Sequence, residues 1–208
     1  MTHKSSLSVT IKKINKSVVP EAILIAEQQL GEGFTYECDL LSANIISFCA
    51  IREDRVVGLC CGQVLSAKKL TANHLEISRS IPSSLLKTNR RIGLVNTIAV
   101  DNDAKGCGVG TQLLQALLSQ FDAKNIRLSV LSGWKDKNGL HIGGIARAAG
   151  FEEICEIPDF YEEDSIFEGF TCPVCGPPPC KCGAVIMVRV KKAVRVMLES
   201  QSESILST

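Results

Sequence analysis

The chain has 208 residues, 45% hydrophobic and 22% charged, which is enough apolar material for a sizeable core in one domain, or at most two, without disulfide staples. Lys and Arg together number 23 and Asp and Glu 22, so the net charge of +1 gives no general drive toward nucleic acid or an anionic membrane. Ten cysteines are the unusual feature, and their positions matter more than their number.

Residues 8–15 alternate as a strand. Pro20 then opens a helix whose apolar spacing runs to Gly31. A second short helix is expected over 36–46. Residues 47–53 and 56–66 form a hairpin around Glu53-Asp54-Arg55. The stretch 67–91 holds six basic residues against one acid, Glu76, and reads as a solvated surface connection with room for a short helix. RIGLVNTIAV is a strand with Ile92, Leu94, Asn96, Ile98 and Val100 expected on one face. After Asp101-Asn102-Asp103 comes a glycine-rich turn and then a helix. Its stripe is Leu113, Leu114, Leu117, Leu118 and Phe121. A strand at 125–132, a helix over 139–149 ending at Gly150, a strand at 151–157 and a mixed segment around DFYEEDSIFEGF follow. The run AVIMVRV at 184–190 has the composition of a strand buried on both faces. This order predicts an α/β (α+β) domain with a mixed, mostly antiparallel sheet flanked by helices over 1–192, and a C-terminal tail over 193–208.

The turn Lys105-Gly106-Cys107-Gly108-Val109-Gly110-Thr111 joins a strand to a helix N-terminus. Glycines there let consecutive N–H groups point at one anion, with the helix dipole behind them. The sequence lacks both G-x-x-x-x-G-K-[ST] and G-x-G-x-x-G, so neither a P-loop nor a dinucleotide fingerprint accounts for it.

Residues 92–121 resemble the acetyl-CoA-binding core of the GNAT superfamily of N-acetyltransferases. The family's loop, [Q/R]-x-x-G-x-[G/A], is matched from Lys105 to Gly110 except at the first position. There lysine keeps the charge but not the planar fork of arginine. ARAAGF at 146–151 resembles the end of the family's next helix. The resemblance implies a GNAT-like fold and a pyrophosphate site on Lys105, Gly106, Cys107, Gly108, Val109, Gly110 and Thr111. It also implies a pantetheine arm lying like an extra strand along Ile98, Ala99 and Val100, with an N–H near Ile98 polarising the thioester carbonyl. In many members a glutamate before the glycine loop acts as base, and a tyrosine in the later helix is present. Here those places hold Asn96 or Thr97 and Ile145-Ala146-Arg147. Tyr161 is the expected acid, with Asn96 at the usual base position. Glu76, Glu162, Glu163 or Asp164 are substitutes for a base, although a solvated acidic loop explains each alone. His141 reads as a packing or surface residue, and Trp134 as one that packs or borders the ligand cleft.

Cys172-Pro-Val-Cys175-Gly and Cys180-Lys-Cys182-Gly bring four thiols into eleven residues. C-P-x-C-G is the turn of zinc knuckles, and four thiolates suit tetrahedral Zn²⁺ better than a cramped iron–sulfur cluster. A structural zinc in a small four-cysteine knuckle between the last two strands is therefore expected, as in a cysteine-rich GNAT subgroup that this chain resembles. The polar, basic start MTHKSSLSVTIKKINKS has no apolar signal segment and no stretch reaches membrane-span length. The expectation is a cytoplasmic, reducing location in which Cys38, Cys49, Cys60, Cys61 and Cys155 are small core residues. The implied activity is N-acetyl transfer from acetyl-CoA to an unidentified amine, with no nucleic-acid or membrane partner. Alternatives are a non-catalytic acyl-CoA sensor and a zinc-knuckle interaction module.

Overall fold

The computed structural model describes residues 8–191, so the tail expected at 193–208 lies outside the described residues. The N-terminal part comprises β1 (Thr10–Lys13), α1 (Val19–Leu30), α2 (Glu37–Leu41), β2 (Ile45–Arg52) and β3 (Arg55–Ser66). Three short helices follow, α3 (Ala67–Asn73), α4 (Leu75–Ser80) and α5 (Ser83–Thr88). Then come β4 (Arg91–Val100), α6 (Val109–Ala123), β5 (Leu128–Asp136), β6 (Gly139–Leu140), α7 (Gly143–Ala148), β7 (Glu152–Ile157), α8 (Glu162–Glu168) and β8 (Gly183–Val190). The strands form one sheet in the order β1-β2-β3-β4-β5-β8-β7, with β6 added beside β5. Among the described residues only β4 and β5 pair in parallel; every other pair is antiparallel. No helix among the described residues is long and apolar enough to cross a membrane.

The two faces of the sheet carry different helices. On one, α6 buries Leu113, Leu114, Leu117 and Phe121 against Phe48, Val57, Val95, Leu131 and Met187, as its stripe predicts. On the other, α1 and α2 cover Cys49, Leu59, Cys61 and Ala99, while α3–α5 cover Ile92, Leu94, Leu128 and Ile186. The segment 67–91 is thus not a solvated connection. Leu70, Ile77, Ile81 and Leu85 are buried, and its charged side chains are exposed, on the outward side of three short helices and at Arg90 and Arg91 after them. Charge counting alone misses the apolar residues interleaved at helical spacing.

Three further expectations need correction. The predicted helix over 139–149 begins as a hairpin: Asn138-Gly139 turns β5 into β6, and only 143–148 are helical. The helix expected over 36–46 stops at Leu41, because Ile45 and Ile46 already belong to β2. Of the five cysteines assigned to the core, Cys49, Cys60 and Cys61 are buried, but Cys155 is half-buried and Cys38 is exposed on α2.

The single-face reading of β4 also fails, and its failure shapes the site. Cys61 pairs with Thr97 but Gly62 pairs with Val95, so Asn96 is an extra residue in the β3–β4 ladder. This β-bulge inverts the alternation. Ile92 and Leu94 pack under α3–α5, whereas Ile98 and Val100 pack on the α6 face.

Candidate active site

β4 and β5 pair only from Ile92↔Leu128 to Val95↔Leu131. Beyond the bulge, β4 stays with β3 as far as Val100↔Gly58, and β5 stays with β8 as far as Lys135↔Gly183. The two neighbours therefore separate into a wedge. Asn96, Thr97 and Ile98 form one wall and Ser132, Gly133 and Trp134 the other. The wedge holds a cavity of about 90 Å³, closed by Leu30 at the end of α1 and Phe34 beyond it, by His141 and Ile142, and by Tyr161, Phe170, Cys172 and Cys180 from the β7–β8 connection.

At one end of β4 the chain crosses a short turn, Asn102–Ala104, tied by Asp101 accepting from the Asp103 N–H at 3.3 Å. Gly106 and Gly108 then adopt φ +76° and +77°, a region that disfavours any residue with a Cβ. Gly108 is the N-cap of α6 and offers no side chain to the first-turn amides of Val109, Gly110 and Thr111. Gly110 is buried where a Cβ would come 2.9 Å from Ile145 Cδ1, so it brings α6 close to α7. Lys105 Nζ donates to Gln29 Oε1 at the end of α1, and Cys107 lies exposed on the loop. Positive-φ glycines at an uncapped helix start, beside a strand edge lacking a ladder partner, are the features expected of a phosphate-and-strand binding surface. Of the three β4 residues implicated by resemblance, Ile98 lines the wedge, Ala99 is buried under α1, and Val100 packs by Gly110.

Asn96 and Tyr161 both line this cavity. The Tyr161 phenol shares a hydrogen bond with Ser132. Burial pushes that phenol up, and the hydrogen bond offsets only part of the rise, so it remains protonated. Phe34 meets Tyr161 edge-on at 6.3 Å and Phe170 at 5.3 Å. None of Glu76, Glu162, Glu163 or Asp164 lines the cavity; Glu162 is paired with Lys181.

Trp134 borders the cleft, one of the two places expected for it, and His141, read as packing or surface, has a larger place. The Asn138-Gly139 turn folds His141 back beside Trp134, whose carbonyl accepts from the His141 N–H at 3.2 Å. The two rings stack at 4.5 Å with 13° between their planes. His141 Nε2 lies 3.1 Å from Asp136 Oδ2. Burial opposes ionisation of Asp136, but hydrogen bonds from the Asn138 N–H and from His141 outweigh it, and the carboxyl is held below its ordinary value. The Asn-Gly dipeptide is the available sequence signal: a hairpin there returns position 141 to the level of 134–136.

The four cysteines at 172–182 converge. Their Sγ atoms all lie within 4.8 Å of one another. Cys172–Cys182, Cys175–Cys182 and Cys175–Cys180 are separated by 3.8, 3.6 and 4.0 Å. A tetrahedron with zinc–sulfur bonds of about 2.3 Å has edges of about 3.8 Å, so this donor set fits zinc. Backbone N–H groups of Val174 and Cys175 donate to Cys172 Sγ, and that of Lys181 to Cys175 Sγ, each at 3.4 Å. The Lys181 N–H holds the Cys175 thiol below its ordinary value. Burial and the neighbouring sulfurs push Cys180 up and Cys182 up to about 11. A dication at the centre would supply the charge that lets all four ionise together. The cluster also touches the wedge: Trp134 hydrogen-bonds Cys182, and the Tyr161 N–H donates to the Cys182 carbonyl at 3.5 Å.

No curated protein sequence matches the chain. Among solved structures, Arabidopsis thaliana NAA60 in complex with acetyl-CoA is similar at 16% identity and a TM-score of 0.65, covering 88% of this chain and 99% of that one. The ribosomal-protein-S18-alanine N-acetyltransferase of Escherichia coli is similar at 15% identity and a TM-score of 0.59, covering 88% and 94%. A Drosophila melanogaster polyamine N-acetyltransferase is similar at 11% identity and a TM-score of 0.57, covering 88% and 100%. Residues 20–139 match the Acetyltransferase (GNAT) family. With that match spanning more than half of its length, the chain belongs to the GNAT family of acetyltransferases.

Proposed function

We propose that the protein acetylates an amine by direct attack on acetyl-CoA within a ternary complex. The observation that carries this reading is the wedge. It runs from a strand edge beside an uncapped, glycine-led helix start to a cavity walled by aromatic rings. The amides of Gly106 to Thr111 would hold the pyrophosphate, with Lys105 beside them, and the outer half of β4 at Ile98, Ala99 and Val100 would hold the pantetheine arm. Acetyl-CoA supplies an activated acyl group whose departing thiol is a good leaving group. Tyr161, kept protonated in the cavity that Asn96 also lines, is suited to donate a proton or a hydrogen bond there. Holding the two reactants in one narrow slot supplies much of the acceleration by itself.

The knuckle is read as a structural zinc site. Four thiolates leave no open coordination position for catalysis, and Cys172 and Cys180 stand in the cavity wall. The metal would therefore fix the acceptor side of the wedge. Thiol release from acetyl-CoA against a panel of primary amines tests the activity, and a thermal shift with CoA tests the cofactor site. Asn96 in place of a carboxylate favours one competing reading, an acyl-CoA sensor. A CoA-dependent shift with no turnover on any amine would select the sensor; no shift with any acyl-CoA would remove both readings.

A further inference from the structure

The cavity holds few groups that exchange protons at neutral pH. Among the described residues, its titratable side chains are His141, Tyr161, Cys172 and Cys180. A phenol is a poor base there, and the two thiols belong to the sulfur cluster. That leaves His141. Its geometry is that of an oriented base. Asp136 Oδ2 sits 3.1 Å from Nε2, Trp134 stacks flat against one face, and a backbone hydrogen bond to the Trp134 carbonyl fixes the start of the side chain. Asp136 is itself anchored, since Oδ1 accepts the Asn138 N–H at 2.6 Å. A carboxylate accepting from Nε2 makes that nitrogen the donor and leaves the Nδ1 lone pair free to take a proton. The His141 side chain is also half-exposed, so a proton taken up can pass to water.

We propose that His141 is the general base of the transfer and that Asp136 is its positioning residue. This rests on the acetyl-transfer reading above. His141 Nδ1 accepts one proton from the acceptor ammonium, leaving a neutral amine. The nitrogen–carbon bond then forms as the carbon–sulfur bond of the thioester breaks. The second proton lost by nitrogen ends on the departing thiolate, and His141 releases the first to water. No oxidant or further co-reactant is needed.

The test has two parts. The chain contains three histidines, so ¹⁵N-histidine labelling with long-range proton–nitrogen correlation resolves the His141 ring without any turnover. The expected signal is the Nε2–H tautomer with its ring proton shifted downfield by the carboxylate, a shift lost in Asp136→Ala. An Nδ1–H ring in the native protein would overturn the assignment. The second part compares His141→Phe, which keeps a ring against Trp134 but cannot take a proton, with the native protein. Each is assayed on an alkylamine that the native protein acetylates and on hydroxylamine, whose nitrogen is already unprotonated at neutral pH. A fall of about 10²–10⁴ in kcat on the alkylamine is expected, with a much smaller fall on hydroxylamine and an unchanged CoA thermal shift. Equal loss on both acceptors, or native kcat on the alkylamine, would overturn the proposal. Native protein inactive on every amine would instead refute acetyl transfer itself.

Discussion

Cys175→Ser separates the metal from the packing around it. Cys175 is the exposed member of the four, so the substitution removes a ligand while disturbing little core, unlike the buried Cys172, Cys180 and Cys182. If free zinc stands about 100-fold above its dissociation constant, binding stabilises the folded chain by about 2.7 kcal/mol. In a domain of this size each kcal/mol moves Tm by about 2–4 °C, so stripping the metal should lower Tm by roughly 5–11 °C. The four-thiolate set makes this a lower bound, because such sites bind far more tightly in zinc-finger peptides. The assay is thermal unfolding with zinc and with chelator, alongside elemental analysis of metal per chain. The lone tryptophan gives a local readout, since Trp134 hydrogen-bonds Cys182 and its emission should change as the metal leaves. Native protein should carry one zinc and show the full shift; Cys175→Ser should carry little and show almost none. A native Tm indifferent to chelator, or one zinc retained by the variant, would refute the reasoning.

Gly108→Ala places a Cβ on a residue at φ +77° with open space around it; the expected cost is about 1–2 kcal/mol of backbone strain and a weakened CoA shift, both visible by calorimetry. Gly93→Ala would put a methyl 2.5 Å from the fully buried Phe121 ring, so a loss of about 1–3 kcal/mol is expected in denaturant unfolding. Tyr161→Phe should reduce kcat while leaving CoA binding intact. An unchanged kcat would remove Tyr161 from the chemistry. Asp122, which accepts from Arg189 at 3.2 Å and pairs with Lys191, has its carboxyl held below the ordinary value by those cations despite burial. A depressed carboxylate contributes stability above its unfolded value that is lost as pH falls through the folded one. Asp122→Asn should therefore cost about 1 kcal/mol or less at pH 7, with the gap closing below pH 4.

What the sequence carries depends on the range of the signal. The α6 stripe, the double-faced β8 and the glycine loop are written in neighbouring residues, and each is readable. The convergence of the four thiols of 172–182 is readable too, because they lie within eleven positions. Segment 67–91 misleads because its abundant lysines and arginines mask Leu70, Ile77 and Leu85. The cavity is harder. Asn96 looks like one more alternating residue, and only pairing with β3 reveals it as the bulge that turns Ile98 to the other face. Phe34 and Phe170 are far apart in sequence, yet their rings meet at 5.3 Å; no local pattern announces that contact. His141 reads as part of a helix, although the Asn-Gly turn before it marks a hairpin.

The order of the sheet has a consequence for how the protein is made. β8, the last described strand, is not an edge: it lies between β5 and β7 and pairs with both. During synthesis the sheet therefore stays open until residue 190 has cleared the ribosome, and β5 presents an unpaired, apolar edge in the interval. The cysteine segment emerges immediately before that strand. Metal capture by the nascent knuckle would shorten the loop that β8 must close, lowering its entropic cost. Ribosome-stalled chains exposing residues up to 182 should then gain protease resistance at the knuckle with zinc, ahead of the remainder of the domain.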